Sequence, residues 1–204
     1  MSHLLAIAIG PVQDFIAAAR RTADLYAGSQ LLLEVTKTMA RCLEEHGASL
    51  ILPSDSNQSG ANKILAEVTG DPRELVARAK VAARDYWLLE WDKALAGLPN
   101  SAAVSQARAK KQLEDFLEIY AAWVVLDPSD YQGSRRQVER LLAGRKALRD
   151  FTQLAQDDTA VPKSSLDASR ASVIGDPRGF ANAEANRKAL RIRSNEHLDA
   201  VSLL

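Results

Sequence analysis

The residues of this 204-residue chain that could do chemistry are few and dispersed. Its three histidines, His3, His46 and His197, form no HExxH pair and no His-Asp dipeptide, so they spell no metallohydrolase centre and are expected at surface or hydrogen-bonded positions. The single Cys42 leaves no internal disulfide and no Cys-based zinc site, and it fits a reducing, cytoplasmic compartment. The densest candidate is the turn Gly10-Pro11-Val12-Gln13-Asp14. Two-metal nucleotidyl transfer needs paired carboxylates, because the attacking and leaving oxygens must both be neutralised. Pro11 and Gln13 cannot ligate magnesium as carboxylates do, and Asp14 alone reads as a first-turn residue favoured by the helix dipole. Gly10 still lets a phosphate approach the backbone and the free amides of a helix that starts near Val12. Gly10 and Gln13 are therefore candidate nucleotide contacts, with no metal ligand between them.

A second kind of chemistry is carried by charge. Lys plus Arg equals Asp plus Glu at 26 each, so global charge nominates no partner. The balance hides an asymmetry: residues 133–193 hold thirteen cations against seven anions, and the first 132 residues hold thirteen against seventeen. Such a basic third suits RNA phosphates or an acidic subunit, and equally a solvated helix face with i,i+4 pairs such as Arg135-Glu139. Only Phe151 and Phe180 interrupt the tract, which favours backbone contact over base stacking. Arg145, Lys146, Arg149, Lys163 and Arg170 are the candidate contacts to RNA or a neighbouring subunit.

These residues must be positioned by elements that the periodicity outlines. Leu4–Ile9 is an apolar run closed by Gly10-Pro11, which predicts a buried first strand, and it is too short to cross a bilayer or form a signal peptide. Phe15, Ile16, Leu25, Leu32, Val35, Met39 and Leu43 recur at helical steps and predict one helix from Val12 to about His46, loosened at Gly28-Ser29 and stopped by Gly47. Ser49–Pro53 and Lys63–Val68 read as strands around a polar loop. Asp71-Pro72 predicts a helix start, with a stripe through Trp87 and Trp91 that runs to Gly97 and marks the tryptophans, with Trp123, as core. A third helix is expected from about Ala102 to Phe116, and a fourth strand over Ile119–Leu126, where a continued helix is the other reading. Tyr131 to about Leu154 is amphipathic, with Val138, Leu141, Leu142, Leu148 and Phe151 on its apolar side, and the remainder is loop-rich. Ser165 and Asp167 are expected to cap a short helix. The order β-α-β-β-α-β defines an α+β, ferredoxin-like palm over residues 1–128, followed by a helical, basic segment over 129–204.

The run Ile9-Gly10-Pro11-Val12-Gln13-Asp14-Phe15-Ile16-Ala17-Ala18-Ala19-Arg20-Arg21-Thr22, with Asp24-Leu25-Tyr26-Ala27-Gly28-Ser29-Gln30-Leu31-Leu32 after it, resembles the large subunit of type III CRISPR-Cas effector complexes, in their Cmr branch. Arg145–Phe151, Pro162–Arg170 and Asn195–Val201 match in the same order. The resemblance implies an antiviral protein with two palms, the second bearing a Gly-Gly-Asp-Asp loop that converts ATP into cyclic oligoadenylate. This chain has neither that tetrad, nor a His-Asp nuclease dipeptide, nor a four-cysteine zinc module, and the ending Ser202-Leu203-Leu204 reads as that of a fragment.

By the same resemblance, Gly28 and Ser29 fall where a side chain after a helical glycine touches the base in related cyclase palms, although a small residue there equally serves close helix packing. The implied ligand is ATP in the complete protein, with Mg2+ bound only alongside the second palm. The implied partners are the other effector subunits with guide and target RNA, and no membrane. At Ala168 the family usually has glycine, which argues against carrying over a role for that loop. Competing readings are a scaffold or RNA-binding module whose inherited palm holds no nucleotide, and an unrelated ferredoxin-like ligand sensor.

Overall fold

The computed structural model describes the chain except residues 18, 59–61, 100, 149–160, 175–183 and 194. Strand β1 (Ser2–Gly10) leads into a short helix α1 (Val12–Ala17) and a long helix α2 (Thr22–Glu45). Strands β2 (Ser49–Leu52) and β3 (Lys63–Thr69), helix α3 (Pro72–Ala96), a 3-10 turn at Ser101–Ala103 and helix α4 (Gln106–Phe116) follow. Strand β4 (Glu118–Val125) then completes the sheet, and helices α5 (Tyr131–Ala147), α6 (Glu184–Leu190) and α7 (Ala200–Leu203) come after it. The strand order is β2-β3-β1-β4 with every neighbour antiparallel, which is the ferredoxin-like arrangement of a β-α-β-β-α-β unit.

The apolar run of β1 explains its central place. Leu4 to Ile9 are all buried and do not alternate with polar residues, so both faces of the strand must be covered. Leu5, Ile7, Ile64, Ala66 and Val68 face α2, α3 and α4, where Met39, Leu43, Trp87 and Trp91 close the larger core, and Trp123 packs half-buried at its margin. Leu4, Ala6, Leu65, Tyr120, Ala122 and Val124 face the other way and meet Val138 and Leu142 of α5. A bare palm would leave that second face open; here α5 roofs it. The Lys63 ammonium fixes the roof by reaching Glu139 at 2.7 Å, and this hydrogen bond outweighs burial to hold the Glu139 carboxyl below its ordinary range.

Several boundaries follow from local chemistry. Asp71 caps α3 by accepting the Arg73 amide at 2.9 Å, with Pro72 in the first turn. Gly47, at φ +86°, ends α2 in the left-handed region. The β-branched and aromatic run of β4 is a strand, not the continuation of α4.

Other expectations are corrected. The single helix over 12–46 is two, because the Asp24 carboxyl accepts the Arg20 and Arg21 amides at 3.1 and 3.0 Å and starts a new helix, while Gly28-Ser29 is helical throughout. Helix α5 is described to Ala147, and the part of the expected helix over 149–154 lies outside the described residues, while Leu141 and Leu148 are 48% and 72% exposed. Their spacing matches the apolar period, but the flat sheet covers only the narrow stripe of Ser134, Val138 and Leu142. Ser165 and Asp167 cap no helix: Asp167 instead accepts from the Ser169 amide at 2.9 Å and pairs with Arg170 in a turn. His3 and His197 each carry a buried Nδ1 without a hydrogen bond among the described residues, and only His46 is fully at the surface.

The segments at 161–174 and 195–204 pack back against the helical face. Gln112 of α4 ties them together, donating to the Ala171 carbonyl at 2.7 Å and accepting the Ala200 amide at 2.9 Å. Asp199, fully buried, accepts the Ser164 and Ser202 hydroxyls at 2.6 Å each and caps α7 through the Val201 and Ser202 amides. Val173, Ile174, Leu198 and Val201 thereby enter the same core as the sheet.

Candidate functional site

Where β1 ends, the chain turns at Gly10-Pro11 into α1, and α1 leans against the first half of α2. A cleft of about 360 Å³ opens between them, at the small end of the range that ligand pockets occupy. Val12, Phe15 and Ile16 come to it from α1, Gly28, Ser29 and Thr36 from α2, and Asn62 from the turn before β3. Asn62 is held by both its backbone and its side chain, which accept from the Ile9 amide at 2.9 Å and donate to the Ile9 carbonyl at 3.2 Å. Thr36 is spent on its own helix, donating to Leu32 O at 2.9 Å. Ser29 is exposed, and its hydroxyl makes no hydrogen bond among the described residues, so it is the free polar handle of a mainly apolar wall.

Gly28 has a different task. A Cβ there would lie 2.1 Å from Cδ1 of Phe15, so the glycine is what lets the ring lie against α2. Phe15 in turn meets Phe116 and Trp87 with ring centroids 5.2 and 6.0 Å apart, and Trp87 stacks on Phe116 at 5.6 Å. The same ring and glycine also border a second cavity of about 190 Å³, reached by Leu166 and Leu203 from the C-terminal segments. The packing alternative weighed for Gly28 is thus realised, beside its place in the cleft wall.

The remaining sequence candidates scatter. Gln13 is exposed on α1, and neither it nor Gly10 borders the cleft. A Cβ on Gly10 would find ordinary van der Waals space, its nearest neighbours being the Val12 amide at 3.8 Å and Glu118 Oε2 at 4.0 Å. The Glu118 carboxyl, which accepts the Tyr120 hydroxyl at 3.0 Å, is the residue that sequence reasoning missed at this turn. It faces Gly10 only because β1 and β4 pair in that register. A carboxyl beside the turn works against an incoming phosphate, and α1, six residues long, has too little dipole to offset it.

The lining thus offers apolar surface with one free hydroxyl, and among the described residues no Lys or Arg borders the cleft. Among the described residues no three His, Cys, Asp or Glu side chains gather as a metal centre.

The five candidate cations do not form one patch. Arg145 is half-buried, with its guanidinium 5.8 Å from the Tyr120 ring centroid, and Lys146 is exposed beside it; Arg149 lies outside the described residues. Lys163 is exposed in a bridge to Ala171. Arg170 sits over Phe116 at 5.0 Å and pairs with Asp167, so it belongs to the opposite face of the sheet from α5. Burial pushes the Asp167 carboxyl up, but the Ser169 hydroxyl and amide and the Arg170 charge outweigh it and hold the group below its ordinary range. Among the described residues no helix is long and apolar enough to cross a membrane.

A ferredoxin-like palm roofed by an extra helix, with its cleft at the end of the first strand, is the class that this architecture defines. Residues 4–131 match the family described as CRISPR-associated protein Cmr2, N-terminal, and the chain belongs to that family. No curated protein matches the chain. Among solved structures it is similar in fold to a chain of the "Cryo-EM structure of the Type III-B Cmr-beta bound to cognate target RNA", with a TM-score of 0.60 and 12% identity over 99% of its own length. It spans 32% of that chain.

Proposed function

We propose that this chain works as the first palm of the large subunit of a type III effector complex, where it gives one wall of the ATP site used for cyclic oligoadenylate synthesis and a docking surface for the ribonucleoprotein. The observation that carries this reading is the meeting of Val12, Phe15 and Ile16 of α1 with Gly28 and Ser29 of α2 on one cleft whose free handle is Ser29. In this role the cleft takes the adenine base, and Ser29 bonds an edge of the ring. The metal-binding carboxylates and the contacts that neutralise the triphosphate belong to the second palm, so the chain by itself turns over no ATP.

The test uses the complete large subunit. Ser29→Ala removes one hydrogen bond, worth about 1 kcal/mol, and should weaken ATP binding about fivefold. Ser29→Phe fills the cleft and should abolish both ATP binding and cyclic oligoadenylate formation at unchanged melting temperature. Unchanged ATP affinity in both variants would refute the nucleotide role and leave a palm retained as scaffold, a second reading that the Glu118 carboxyl beside the turn favours.

A further inference from the structure

Helix α5 is committed to the sheet along one side only. Ser134, Val138 and Leu142 are buried beneath it, and Glu139 is taken by Lys63 at 2.7 Å and by Arg135 at 3.7 Å. At 100° per residue the three buried positions define one direction, and Arg136 and Arg140 project within about 20° of the opposite one. Lys146 lies on the flank, one and a half turns further along. All three are exposed, and none makes a hydrogen bond or ion pair among the described residues.

The composition of α5 sets it apart from a merely solvated helix. It holds five Lys or Arg and a single acidic residue, Glu139, which is already spent. Arg136 and Arg140 are like charges one turn apart, an arrangement that works against the helix unless something outside neutralises it. Ala143, Gly144 and Ala147 continue the same outward face, so a strand could lie close to the helix backbone there. No aromatic residue stands on this face to stack a base, which leaves the sugar-phosphate backbone as the chemistry that complements it.

We propose that the outward face of α5 and its adjoining flank, through Arg136, Arg140 and Lys146, bind the phosphate backbone of an RNA strand. This rests on reading the chain as part of a ribonucleoprotein, and it moves the RNA contact from Arg145, which is turned onto the palm, to cations that are exposed and without a partner among the described residues.

The test measures binding of the full 204-residue chain to a labelled 20-nucleotide single-stranded RNA by fluorescence anisotropy at 50 and 200 mM salt, with DNA of the same sequence as a second probe. Three phosphate contacts at a slope of about 0.7 each make the wild type lose ~20-fold more affinity over this range than the Arg136→Gln, Arg140→Gln, Lys146→Gln triple variant. The charge-matched triple Arg41→Gln, Arg73→Gln, Arg84→Gln on α2 and α3 should keep the wild-type slope. Equal slopes in the two triples, no RNA binding by the wild type, or tighter binding to DNA would overturn the proposal. If the α5 triple instead fails to assemble with the other effector subunits while RNA affinity is unchanged, α5 meets an acidic protein surface, and the effector reading stands without this one. If the wild type neither assembles nor binds RNA, the effector reading itself fails.

Discussion

Replacing Gly28 by alanine sets two effects of known size against each other. In the interior of a helix, alanine is favoured over glycine by about 1 kcal/mol, so the substitution should stabilise α2 if nothing stood in the way. The Cβ, however, would lie 2.1 and 2.3 Å from Cδ1 and Cε1 of Phe15, a ring hemmed in by Trp87 and Phe116. Displacing it disturbs two aromatic pairs of about 0.5–1.5 kcal/mol each and strains a packed core by about 1–3 kcal/mol. The net expectation is a loss of about 2 kcal/mol, or a fall of roughly 4–8 °C in Tm for a chain of this size. Thermal unfolding followed by circular dichroism reads the magnitude, and tryptophan fluorescence reports the disturbed Trp87. The sign should reverse in a Phe15→Ala background, where the space is empty and Gly28→Ala should stabilise by about 1 kcal/mol. A higher Tm for Gly28→Ala in the wild-type background, or the same sign in both backgrounds, would refute the account of Gly28 as the seat of Phe15.

Other consequences are checked more simply. Asp199→Ala removes an α7 cap and strands the Ser164 and Ser202 hydroxyls; it should cost about 3 kcal/mol and expose the segment around Ser164 to limited proteolysis before the sheet unfolds. A Lys63→Ala, Glu139→Ala double-mutant cycle should give a coupling of only about 0.5–1 kcal/mol, since both groups are part-exposed, and a coupling near zero would show that α5 is held by apolar contact alone. Asp24 and Asp167 both have carboxyls held below the ordinary value of 3.8, each against burial that raises it, by Arg21 with two amides and by Ser169 with Arg170 respectively. Their contribution to stability is therefore complete above that value and lost as pH falls through the lowered folded-state values, so an acid titration should be less steep below pH ~4 in Asp167→Asn than in wild type.

The elements legible in the sequence were those whose ends are written in backbone chemistry. Gly10-Pro11 after an apolar run, Asp71-Pro72 before one, and Gly47 beyond a helical stripe each state a local conformational requirement, and the chain meets it within a residue or two. The break before Thr22 was written too, in Asp24 three residues after Arg21. It was masked because apolar residues on both sides keep nearly the same period. Periodicity tells which side of a helix is apolar and is silent on what covers it. That is why α5 was recognised as amphipathic while its true contact, a flat sheet face that buries only Ser134, Val138 and Leu142, left Leu141 and Leu148 outside.

The candidate site divides along the same line. Gly28 and Ser29 are singled out by the family resemblance, with close packing of a small residue as the alternative, but the reason for the glycine is a phenylalanine thirteen residues earlier, across a helix break. Glu118 is opposite Gly10 only through antiparallel register between strands more than a hundred residues apart, a relation with no local pattern. Its presence changes the chemistry expected of the turn. Glycine and free amides suggest a phosphate seat, yet a carboxyl on the neighbouring strand repels one. The cleft beside it offers apolar surface and a single hydroxyl. In the proposed role, a nucleotide enters this cleft base first and its triphosphate passes close enough to the Glu118 carboxyl to be repelled by it. Glu118→Gln should accordingly leave adenosine affinity unchanged while tightening ATP binding in the complete subunit. Equal effects on adenosine and ATP would place the phosphates elsewhere than near this turn.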